Sequence, residues 1–158
     1  KGLYLDAEAA LSQVKLRQGD TSGQHLVLFG RSLGSSIAVE IATRHEVHAV
    51  ILESGFTSVR DMAKKAYPFI PSDLLVLPLK SKFDSLSKIG NINSPIMVIH
   101  GDNDAIVPHD MGKKLYDSAK FPKRFYTIVN GNHNDTYIVG GLEYFYELKR
   151  FIENPTDD

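Results

Sequence analysis

The chain has 158 residues, of which 42% are apolar and 23% charged, with a formal net charge of −1. That length suits one domain with a sizeable core, and the near-neutral charge, without a long basic block, argues against a nucleic-acid partner. The absence of cysteine excludes disulfides, cysteine nucleophiles and thiolate metal sites, and no apolar run approaches the ~18 residues of a membrane-spanning helix.

Residues 3–17 predict an amphipathic helix with Leu3, Ala7, Ala10, Leu11 and Val14 on one face. A Gly- and Ser-containing loop over 19–23 precedes a strand at 25–30. That strand shows little alternation, as expected when both faces are buried. A helix over 32–44 turns Ile37, Ala38, Ile41 and Ala42 inward, and 47–53 reads as a second buried strand. The stretch 56–94 is irregular. A short helix around Met62, Ala63, Ala66 and Tyr67 gives way to apolar residues interrupted by Pro68, Pro71 and Pro78, which predicts an insertion of short helices. Then come a third strand at 95–100, a loop at 101–108 and a helix over 109–119 with Met111, Leu115 and Ala119 inward. A fourth strand at 124–129, a polar loop at 130–136 and a helix over 140–153 follow, the helix turning Phe145, Leu148 and Ile152 inward. Strands alternating with helices predict an α/β domain with a mostly parallel, doubly wound sheet. Its functional loops belong at the C-terminal ends of the strands.

The first strand ends in Gly30-Arg31-Ser32-Leu33-Gly34, a Gly-x-Ser-x-Gly sequence at a strand-to-helix turn. A serine there has its hydroxyl held out of the backbone, ready to attack, and flanking glycines allow strand and helix to approach closely. The pattern also arises by chance in roughly one chain in twenty of this length. On the pattern alone, a plain turn with a helix N-cap serine is the favoured reading.

A serine nucleophile needs a base to take its proton and a carboxylate to orient that base. The third strand is followed by His100-Gly101-Asp102-Asn103-Asp104-Ala105-Ile106-Val107-Pro108 and the fourth by Asn130-Gly131-Asn132-His133-Asn134-Asp135. Ser, Asp and His therefore occur in that order on successive strand ends. Asp102 and Asp104 are both candidate acids, and either also suits an Asx turn. Asp135 suits a loop-holding role. His25, His45, His48 and His109 read as surface or strand-edge residues, and His100 as a packing residue. Arg31 shapes the pocket, pairs with an acid, or is an ordinary surface charge. A metal site and a phosphate loop both lack their motifs.

On the elbow, His100-Gly101-x-x-Asp104-x-x-Val107-Pro108 and Gly131-x-His133, the chain resembles the C-terminal half of the α/β-hydrolase family. The resemblance covers nearly the whole chain. Asn132 to Thr136 and the segment from Lys82 to Ile89 are similar to compact serine hydrolases with a small cap, a branch that includes membrane-tethered acyl-thioesterases and lipases. It implies Ser32 as nucleophile, Asp104 as acid, His133 as base and the Leu33 backbone N–H as an oxyanion donor, with no cofactor and no metal. The implied function is hydrolysis of a small acyl ester or thioester. A peptidase of prolyl-oligopeptidase type shares the motif order, and a truncated binding module is the non-enzymatic alternative.

The resemblance also implies a single partial domain over 1–158, lacking the family's N-terminal strands, with a cap insertion at about 56–94. Phe56, Met62, Tyr67, Phe69, Ile70, Leu74, Leu75 and Leu77 are the candidate cap residues for an acyl pocket, or else for packing the cap on the sheet. The family's second oxyanion N–H, together with any tether, belongs to upstream segments. An edge of strand 25–30 left unpaired predicts that the chain is either part of a longer enzyme or self-associates by pairing that edge with another chain.

Overall fold

Short, evenly apolar runs become strands because a strand buried on both faces has no polar side to show. The computed structural model describes residues 2–19, 22–69 and 83–156. Strands β1 (Val27–Arg31), β2 (Ala49–Glu53), β3 (Ile96–Gly101) and β4 (Lys123–Ile128) pair in parallel in the order β1-β2-β3-β4. The helices are α1 (Gly2–Gln18), α2 (Leu33–Ala42), α3 (Val59–Ala66), α4 (Leu86–Ile89), α5 (His109–Ser118) and α6 (Thr136–Glu153). The predicted order of strands and helices is present, and the sheet is flanked by helices on both faces.

The two-residue period of a strand divides the core. Val50, Leu52, Ile96 and Val98 face α2, α4 and α5, where they meet Ala38, Ile41, Ile89 and Leu115. The alternate residues Ala49, Ile51, Met97 and Ile99 face α6, where they meet Tyr144 and Phe151. The two central strands are buried throughout.

Four readings need correction. Strand β1 is not buried on both faces: it lies at the sheet edge, and Phe29 is 49% exposed. In register Phe29 stands beside Ile51, on the α6 face, but α6 packs over the inner strands. In α1 only Leu11 is fully buried and Ala7 partly so; Leu3, Ala10 and Val14 are exposed. In α6 the inward residues are Tyr144 and Phe151, whereas Phe145 is 55% and Ile152 38% exposed. That helix also starts at Thr136 and is broken at Gly141, whose φ is 54°.

Within the irregular stretch 56–94, described residues far apart in the chain are joined by backbone hydrogen bonds. The Ser85 and Leu86 N–H groups both donate to the Thr57 carbonyl, at 2.8 and 3.1 Å. Ile89 and Ile92, within the same stretch, pack in the main core. Phe56 is buried with Val107 and Met111, and Met62 packs against them. Tyr67 and Phe69 are exposed, and Ile70, Leu74, Leu75 and Leu77 lie outside the described residues.

Candidate active site

Parallel strands bring their C-terminal ends to one edge of the sheet, so the loops after β1, β3 and β4 meet there. Ser32 sits between β1 and α2 at φ 52°, ψ −119°, an uncommon backbone for a non-glycine residue. The turn is tight enough that a Cβ on Gly30 would lie 2.4 Å from the Gly34 carbonyl oxygen. The expected crowding at Gly34 is absent: a Cβ there meets nothing within 4 Å. Ser32 occupies the N-cap position of α2, yet its side chain makes no cap hydrogen bond. The plain N-cap reading of this serine therefore fails.

The Ser32 hydroxyl instead lies 3.0 Å from His133 Nε2. His133 Nδ1 lies 2.8 Å from Asp104 Oδ2. With Nδ1–H donating to the carboxylate, Nε2 carries the free lone pair that can take the serine proton. All three residues assigned from the resemblance are brought together, and His133 and Asp104 are buried.

Asp104 is the best-supported carboxylate. Burial pushes its carboxyl up, but donors from His100, the Val107 N–H, His133 and the Ile106 N–H outweigh burial and hold it at about 2. The Val107 and Ile106 bonds are 2.8 and 2.9 Å. Asp102 points elsewhere and accepts the Asn130 N–H at 2.6 Å. Asp135 accepts the Asn132 N–H at 2.6 Å and so holds the base loop.

Three supports were not legible in the motifs. Asn132 Oδ1 accepts from the N–H groups of both His133 (2.7 Å) and Ala105 (3.2 Å), tying the base loop to the acid loop. His100 is fully buried; its Nε2–H donates to the Val107 carbonyl at 2.9 Å and stands 3.4 Å from Asp104. Glu53 ends β2 as a buried carboxylate and accepts from the hydroxyls of Thr136 and Tyr144. One sequence signal for Glu53 existed, since a charged residue closing an apolar strand must find partners if it is buried. Of the readings for Arg31, the structure bears out pairing with an acid: its Nε lies 3.7 Å from Glu53.

Three further histidines bond away from the site. His45 Nε2 meets Glu8 at 2.7 Å, His48 the Ile152 carbonyl at 2.6 Å, and His109 the Thr127 hydroxyl at 3.1 Å. The Leu33 N–H opens α2, where the first-turn donors and the helix dipole favour negative charge.

Comparison with known proteins agrees with this architecture. The model of the prolyl oligopeptidase family matches residues 4–135. An uncharacterized protein of Mycobacterium tuberculosis is 32% identical over 152 residues, which cover 96% of this chain and 53% of that protein. Alpha/beta hydrolase domain-containing protein 17B of Xenopus laevis is 31% identical over 156 residues, covering 96% of this chain and 49% of that one. The chain thus spans about half the length of these curated relatives. A Pyrococcus furiosus esterase shares the fold with a TM-score of 0.72 at 18% identity, covering 98% of this chain and 62% of its own.

Proposed function

The chain belongs to the prolyl oligopeptidase family, within the α/β-hydrolases, and from that premise we propose that it carries the catalytic residues of a serine hydrolase cleaving carboxylic ester or thioester bonds. The observation that carries the reading is the continuous chain of hydrogen bonds from Ser32 through His133 to Asp104.

Ser32 Oγ attacks the acyl carbonyl carbon as its proton passes to His133 Nε2. The Asp104 carboxylate stabilises the imidazolium and stays ionised, since its carboxyl is held at about 2. The oxyanion of the tetrahedral intermediate faces the Leu33 N–H at the start of α2. Collapse breaks the bond to the alcohol or thiol leaving group, which takes the proton from His133. Water then attacks the acyl-Ser32 ester with His133 again as base, releasing the acid and restoring the serine.

A fluorophosphonate probe tests the reading. The folded wild-type protein is expected to be labelled at Ser32, and Ser32→Ala to remain unlabelled. A folded wild type that takes no label overturns the enzymatic reading and favours a binding module.

The family match also supports a peptidase reading. Turnover of an acyl p-nitrophenyl ester and an acyl thioester, set against a dipeptide p-nitroanilide, separates the two. Preference for the anilide would replace the esterase reading.

A further inference from the structure

Resting on the triad reading above, we propose that Arg31 is a positioning residue that fixes the catalytic base relative to the nucleophile, and that buried Glu53 aims it. His133 lies on a loop, the kind of segment that moves most, yet a general base works only within hydrogen-bond reach of its proton. Arg31 bridges that gap. Its Nη2 donates to the His133 carbonyl at 2.6 Å and to Asn134 Oδ1 at 3.2 Å. Because Arg31 immediately precedes Ser32, the guanidinium fastens the base's own main chain to the nucleophile elbow.

The guanidinium is itself oriented. Arg31 and Glu53 are register partners at the C-terminal ends of β1 and β2. Arg31 Nε is buried, makes no hydrogen bond, and has Glu53 Oε1 3.7 Å away. The Glu53 carboxylate cannot swing toward solvent, being 2% exposed and held by the Thr136 and Tyr144 hydroxyls. Burial and the Glu53 charge both raise the Tyr144 pKa, so this hydroxyl remains a donor. The Glu53 carbonyl also accepts the Ser32 N–H at 2.9 Å. One residue thus holds the nucleophile by its main chain and, through Arg31 and Thr136, the middle and the C-terminal end of the base loop by its side chain. A carboxylate is retained at such a buried site only if its partners compensate the lost hydration, and here those partners are the site's own supports.

The test is the second-order rate of fluorophosphonate labelling of Ser32, measured beside thermal unfolding. Arg31→Ala is expected to label about tenfold or more slowly, since small misplacements of a catalytic group carry large rate penalties. Added guanidinium ion, at concentrations that leave wild type unchanged, is expected to restore part of the rate, and equal urea to restore none. Should Arg31→Ala not fold, Arg31→Lys decides: it keeps a cation opposite Glu53, but one ammonium does not reproduce the planar fork, and slow labelling is again expected. A variant rate equal to wild type overturns the positioning role while leaving the triad reading intact. Slow labelling without guanidinium rescue assigns Arg31 to general structure and also overturns the proposal. An unlabelled folded wild type removes both readings together.

Discussion

At the scale of single residues, the site depends on a strained serine and a strongly ionised acid. Ser32 adopts a positive φ only because Gly30 lets the helix start fold back within contact of the strand end. Asp104 ties the site to stability as well as to chemistry. Its folded-state pKa is about 2, below an unfolded value of roughly 3.9, so the unfolded chain binds its proton first. The resulting stabilisation, on the order of 2 kcal/mol, is complete above about pH 4 and is lost as pH falls through about 2. Denaturant titrations between those limits should show wild type losing stability more steeply than Asp104→Asn. The same substitution should slow labelling of Ser32 by about 10³–10⁴, because an amide favours the wrong imidazole tautomer. Equal acid sensitivity of the two proteins would remove Asp104 as a carboxylate stabilised by folding.

At the scale of elements, the acid and base loops are held together by backbone contact. A Cβ on Gly101 at the end of β3 would lie 2.2 Å from the Gly131 carbonyl oxygen, so the two strand ends touch main chain to main chain. Gly101→Ala must push these segments apart. Overpacking of this kind costs about 1–3 kcal/mol, which for this size corresponds to a Tm lower by several degrees, on the order of 2–4 °C per kcal/mol. Because Asp104 and His133 follow those two segments, labelling of Ser32 should slow alongside the fall in Tm. An unchanged melting curve would show that the contact relaxes freely. In α6 the spacings 144/148/151 and 145/148/152 are both helical, so periodicity alone cannot choose between them. The Tyr144 bond to Glu53 and the Arg124 guanidinium over Phe151 accompany the first register.

At the scale of the whole molecule, the described sheet has β1 at one edge and β4 at the other. Beside β1, Leu11, Leu28, Ile37 and Ile41 line an apolar groove between α1 and α2, and Phe29 is half exposed nearby. An unpaired strand edge with apolar neighbours favours pairing with another strand. The 158-residue chain by itself is therefore expected to self-associate as concentration rises, measured by sedimentation velocity. Phe29→Lys should shift that equilibrium toward monomer. A wild type that stays monomeric across the micromolar range would reject this edge as an association surface.

The sequence by itself determined the alternation of strands and helices, the parallel sheet and the three loops that meet at its C-terminal edge. Local chain physics is sufficient for these, because apolar runs and their spacing decide which segments can be buried. The order Ser, Asp, His was legible for a related reason: each residue lies in the loop after a strand and parallel strands end together, while the resemblance implied which aspartate is the acid. What only the tertiary structure decided lies between segments far apart in the chain. It set the α6 register, left β1 half exposed, and joined Glu53 to Thr136, Tyr144 and Arg31. None of these is a periodicity. Each depends on which groups meet once strands and helices are side by side, and that is fixed by the fold.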